Sequence, residues 1–152
     1  MQTVDVDIQA IFKRLTGQRA WRIQLGVGSF LTFEFGRRVK EDRHFRGEWH
    51  LWIYQACWAL SLDGRTLAAW DSKRGIIKAA IQRLESSPFT GVEFDSRNMI
   101  TDFSFANYRL VVSPADYLSD ADERDEYWLL FMPDDHVLTV GPGGVNVRPA
   151  NS

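Results

Sequence analysis

Two stretches of the chain alternate strictly between apolar and polar residues, and this period of two constrains the fold more than any other feature. In Ser29-Phe-Leu-Thr-Phe-Glu-Phe35, Leu31, Phe33 and Phe35 share one side, and Thr32 and Glu34 share the other. A half-buried strand produces this pattern because successive side chains point to opposite faces of a sheet. Glu48-Trp-His-Leu-Trp-Ile-Tyr54 repeats it, with Trp49, Leu51 and Ile53 opposite Glu48, His50, Trp52 and Tyr54. Ala56–Leu62 follows closely, so the two segments read as one long strand or as two joined by a bulge. Asp63-Gly64 is a strong turn signal, after which Thr66–Trp70 returns antiparallel. Further strands are expected at 20–25, Ile100–Phe105, Tyr108–Ser113, Tyr127–Met132 and Val137–Gly141. Gly26–Gly28, Ala106-Asn107 and Pro133–Asp135 supply turns.

Two segments change to helical spacing. Val4, Ile8, Ile11, Phe12 and Leu15 lie on one helical face and predict a helix over 4–16, closed by Gly17. Ile77, Ala80, Ile81 and Leu84 predict a second over 72–86, with Asp71 or Ser72 as N-cap and Pro88 beyond its end. Short connections between consecutive strands predict an α+β fold, mainly antiparallel sheet with two helices. The whole chain, 1–152, reads as a single domain. Its tail from Gly141-Pro-Gly-Gly144 is expected to be loosely held, with at most a short edge strand at 145–148.

Composition narrows the function classes. A chain of 152 residues with 45% hydrophobic and 13% aromatic residues can bury a core and is not intrinsically disordered. No apolar window is long enough for a membrane helix, and the acidic N-terminus lacks the regions of a signal peptide. A single cysteine, Cys57, predicts a reduced, cytoplasmic setting. The net charge of −2 and pI near 5.9 argue against a nucleic-acid partner. That small net charge conceals a polarity. Lys13–Arg46 carries nine Lys and Arg against three acids, whereas Asp116–Asp135 carries eight acids against one Arg. Both segments are expected as solvated loops, and an opposite-charged partner surface would be steered to either one.

Catalytic and metal signatures are sparse. Gly26-Val-Gly28 lacks the third glycine and following helix of a dinucleotide loop. His44, His50 and His136 show no metal-ligand spacing, and no Gly-x-Ser-x-Gly elbow occurs. Cys57 lies in an apolar run and is expected to be inert. No cofactor and no metal are therefore expected. The richest candidate is the strand face of Glu48, His50, Trp52 and Tyr54, which could line a cleft with Glu48 and His50 as an acid/base pair, or anchor a partner. The acidic residues Asp120, Asp122, Glu123, Asp125 and Glu126 form a second candidate surface. Ser72, Lys73 and Arg74, at the start of the second helix, could attract an anion.

The stretch Gly28-Ser-Phe-Leu-Thr-Phe-Glu-Phe-Gly36 with Gly47-Glu-Trp-His-Leu-Trp-Ile-Tyr54 resembles a family of small uncharacterised bacterial α+β domains of about this length. Asp102-Phe-Ser-Phe-Ala-Asn-Tyr-Arg-Leu110 with Trp128-Leu-Leu-Phe131 is similar to hairpins in small bacterial domains, some of them immunity-type inhibitors. The resemblance implies a protein-binding role and brings no catalytic motif. A non-enzymatic protein-binding domain, of which an immunity-type inhibitor is one form, is the leading expectation. The alternatives are a small-ligand binder or enzyme built on the Glu48–Tyr54 face, and a self-associating homo-oligomeric module.

Overall fold

Every strand pairing among the described residues is antiparallel, as short connections between period-two segments require. The computed structural model describes residues 6–115 and 126–150. A short helix, α1 (Ile8–Lys13), precedes β1 (Arg22–Leu25), β2 (Leu31–Glu41) and β3 (His44–Ile53). Next come β4 (Ala56–Leu62), β5 (Arg65–Ala69) and α2 (Arg74–Leu84). Then follow β6 (Gly91–Asp95), β7 (Ile100–Phe105) and β8 (Tyr108–Pro114). The last elements are β9 (Trp128–Phe131), β10 (His136–Gly141) and β11 (Gly144–Pro149). They form a six-stranded sheet in the order β1-β2-β3-β9-β10-β11 and a five-stranded sheet in the order β5-β4-β8-β7-β6. The α+β class expected from the sequence is the class observed.

The apolar rows meet between the sheets. Phe33 and Phe35 of β2 stack on Phe105 of β7, with centroids 5.7 and 6.4 Å apart. Phe12 of α1 closes one end of this layer against Phe89, Phe103 and Trp128 at 5.5 to 5.7 Å. Trp128 is fully buried and donates its indole N–H to the Thr101 hydroxyl at 2.8 Å. Ile77, Ala80, Ile81 and Leu84 of α2 are buried, as their spacing predicts. Burial of each large side chain contributes roughly 1.5–3 kcal/mol.

Several expectations are corrected. Ala56–Leu62 neither continues the preceding strand nor pairs with it. Tyr54 and Gln55 carry the chain from one sheet to the other, anchored by Tyr54 N–H to Tyr127 O at 2.9 Å and Gln55 N–H to Glu126 O at 3.1 Å. Residues 36–47, expected as a charged loop, are the distal half of the β2–β3 hairpin. The first helix is regular only over Ile8–Lys13, capped by the Asp7 carboxylate accepting from Ala10 N–H at 3.0 Å. Beyond it, Leu15 and Thr16 bond three residues back, and Gly17 turns the chain at φ +90°. Neither Asp71 nor Ser72 caps α2. Its N-cap is Lys73, and the Ser72 hydroxyl instead accepts from Ala69 N–H at 2.9 Å, holding the preceding turn. Residues 144–149 form β11 and pair with β10 from His136↔Pro149 to Gly141↔Gly144, further than the short edge strand expected.

β6, absent from the sequence expectations, pairs with β7 through a turn built on Asp95. The Asp95 carboxylate accepts from Asn98 Nδ2 at 2.9 Å and from the backbone N–H groups of Arg97 and Asn98. The Asn98 side chain and then its backbone N–H hold the Asp95 carboxyl below its ordinary value of 3.8. Because the folded value lies below the unfolded one, this turn stabilises fully above the unfolded pKa and is lost as pH falls through the folded value. In a carboxyl-detected NMR titration, Asp95 should therefore have its midpoint below 3.8, and Asn98→Ala should raise it. An unchanged midpoint in the variant would contradict this account.

Candidate functional site

The site forms because the β2–β3 hairpin bends. Its register is regular from Leu31↔Ile53 to Phe35↔Trp49, then shifts, and resumes from Arg38↔Gly47 to Glu41↔His44. Gly36 and Arg37 together stand opposite Glu48, which defines a bulge with one extra residue. Two glycines permit it. Gly36 has φ +77°, and a Cβ on Gly47 would fall 2.5 Å from Phe35 O and 2.6 Å from Phe35 N. Glu48 Oε1 accepts from Arg37 N–H at 3.1 Å and so holds the extra residue. The bent tip is tied back by Arg22, whose Nη2 donates to Phe45 O at 2.5 Å.

Beneath this tip, the outer face of the six-stranded sheet becomes a cleft of about 410 Å³. Cross-strand pairing lines it in rows, Arg22↔Glu34↔His50↔Phe131 and Gln24↔Thr32↔Trp52. Glu41, His44, Phe45 and Arg46 border it from the hairpin, and Met132 and Asp135 from the β9–β10 turn.

Glu34 is the chemical centre. A carboxylate only 2% exposed requires compensating donors, because desolvating a charge is costly. Its Oε1 accepts from Gly47 N–H at 2.8 Å and from His50 Nδ1 at 2.5 Å. The Trp52 indole in turn contacts His50 Nε2. An indole N–H can only donate, so His50 Nε2 is an acceptor and the ring's proton sits on Nδ1, facing Glu34. Trp52, His50 and Glu34 thus form one directed hydrogen-bond chain. Aromatic rings extend the surface, with Phe131 5.5 Å from Trp52 and 5.8 Å from His50. Tyr54 lies 6.2 Å from Trp52 and packs on Phe30 at 4.5 Å.

Of the four strand-face candidates, His50 and Trp52 line the cleft. Tyr54 adjoins it through Trp52, whereas Glu48 serves the bulge. The carboxylate beside His50 is Glu34, its direct cross-strand neighbour. In the sequence Glu34 stands on the polar side of its strand with nothing to mark a role, and Arg22 and Phe131 carry no functional signal either. The hairpin register was the signal that could have paired Glu34 with His50.

Ser72, Lys73 and Arg74 stand at the start of α2, with Lys73 as its N-cap. Arg74 donates to Gly28 O at 2.6 Å and Gly26 O at 3.0 Å, bracing the β1–β2 turn, while the Ser72 hydroxyl holds its own turn. Asp120, Asp122, Glu123 and Asp125 lie outside the described residues. Glu126 is described, and its carbonyl serves the sheet-to-sheet crossing. Among the described residues, no group of three or more His, Cys, Asp or Glu side chains could hold a metal ion. No helix among them is long and apolar enough to cross a membrane. No protein-family model, curated protein or solved structure matches the chain.

Proposed function

We propose that this chain is a non-enzymatic, cytoplasmic protein-binding domain that takes part of its partner into the cleft beneath the β2–β3 hairpin. The observation that carries this reading is the aromatic row of Phe131, Trp52, Tyr54 and Phe30, half-buried on the outer face and continuous with the cleft. Rings presented in this way supply the large, rigid contacts typical of interface anchors. The state of His50 supports binding over catalysis. Both of its ring nitrogens are engaged, one with Glu34 and one with Trp52, so neither is placed to take a proton from a substrate. An immunity-type inhibitor is one form such a domain takes.

A small-ligand binder is the second reading, favoured by a cleft volume that falls within the usual range for ligand pockets. One experiment addresses both. In affinity capture from the native host, the wild-type chain should retain a protein that Trp52→Ala loses and that Glu93→Ala, on exposed β6 surface, keeps. Circular dichroism confirms that the variants are folded. Identical captures from wild type and Trp52→Ala, or no retained protein, would overturn the protein-binding reading. A small metabolite that raises the melting temperature of wild type alone would put the second reading in its place.

A further inference from the structure

The cleft contains three carboxylates and two arginines, and their hydrogen bonds distribute unevenly. Both arginines donate to the protein, Arg46 to a carboxylate and Arg22 to a backbone carbonyl. Arg22 donates from Nη2 to Phe45 O, and its guanidinium carbon lies 5.1 Å over the Trp21 ring. Its Nε is buried without a hydrogen-bond partner. Arg46 donates to the Glu41 carboxylate, and its Nη1 to Gly47 O at 3.0 Å. His44 lies 3.7 Å from the same Glu41. The remaining carboxylates differ. Glu34 uses only Oε1, and its Oε2 has no partner among the described residues. Asp135, at the rim, has no ion-pair partner among them either.

Accepting capacity at Glu34 Oε2, set beside aromatic rings, suits one kind of occupant. A guanidinium is planar, donates in a fixed fork, and stacks on rings while its edge meets a carboxylate. A lysine ammonium lacks the plane, and an anion would face the open oxygen of Glu34.

From this geometry we infer that the cleft receives an arginine side chain of the partner protein. Glu34 Oε2 accepts from the guanidinium, Trp52 and Phe131 flank it, and Asp135 stands at the entrance. The inference rests on the protein-binding reading and specifies the basic chemistry of that partner.

The test uses the purified full chain, labelled with ¹⁵N, with the Trp52 indole resonance assigned by Trp52→Phe. N-acetyl-arginine methylamide should shift that resonance saturably. Its uncharged isostere, N-acetyl-citrulline methylamide, should bind about tenfold more weakly or less, the factor a lost charge-assisted hydrogen bond represents. Glu34→Gln should weaken the arginine probe by a similar factor. If Glu34→Gln does not fold, Phe131→Leu removes one wall and should weaken the same probe.

Equal binding of both probes, no shift by either, or undiminished binding in the folded variants would overturn the inference. Free arginine binding more tightly than the blocked probe would also overturn it, in favour of a small-molecule ligand. Probe failure alongside Trp52-dependent capture of a partner would remove only the arginine occupant. Capture failure alongside probe binding would remove the protein-binding reading.

Discussion

Trp128→Ala should lower stability by roughly 3–5 kcal/mol, the usual range for truncating a large buried aromatic. In a chain of this size that corresponds to a fall in melting temperature of roughly 10 °C or more. Trp128 is 0% exposed and touches Phe12 and Phe103 at centroid distances of 5.7 and 5.3 Å, so its loss opens a cavity where α1 and both sheets meet. It also leaves the Thr101 hydroxyl without its donor in a fully buried site. Trp128→Phe keeps a ring but not the hydrogen bond, and should cost less than half as much. Urea denaturation measures both. A loss below about 1 kcal/mol for the alanine variant would mean that the core does not meet at this residue.

Gly47→Ala should be strongly destabilising. The added Cβ would lie 2.5 to 2.7 Å from Phe35 O, Phe35 N and Trp49 O, all backbone atoms that cannot rotate away. Overpacking of this kind typically costs about 1–3 kcal/mol, and rigid neighbours place this site at the upper end. The same bulge sets the hairpin tip over the cleft, and Gly47 N–H is one of the donors to Glu34, so stability and partner capture should fall together. Gly75→Ala is the control. Nothing lies within 4 Å of its added methyl, and alanine favours the helix, so it should be neutral or stabilising by up to about 1 kcal/mol. Equal effects from the two substitutions, measured by urea denaturation, would contradict the close approach at Gly47.

The parts of this fold legible in the sequence are those where one face is buried and the other is wet. Leu31, Phe33 and Phe35 located β2, and Ile77, Ala80, Ile81 and Leu84 located α2, because burial imposes their period. The hairpin tip escaped because Arg37, Arg38, Lys40 and Glu41 have no core beneath them to impose an alternation. β6 escaped because Val92 and Phe94 are its only large apolar residues. The sheet change at Tyr54-Gln55 carries no glycine or proline, so nothing local marks it. Glu34 was missed for a geometric reason. Residues i and i+2 on a strand lie roughly 7 Å apart, whereas directly paired residues on adjacent strands lie about 5 Å apart. A reading along one strand therefore chose Glu48 for His50, although the nearer carboxylate came from the strand beside it.

The place of β9 in its sheet bears on the order in which the molecule assembles. β3 ends at Ile53, and the strand that covers its free edge, Trp128–Phe131, is made some 75 residues later. During synthesis the β1–β2–β3 meander and the neighbouring five-stranded sheet can form first, with the β3 edge bare. Contacts so distant in sequence close slowly, and bare edges invite pairing with other chains. Phe131, Met132 and Asp135 arrive with that last hairpin. The lining of the cleft is thus completed only after the β1–β2–β3 meander and the five-stranded sheet have been synthesised.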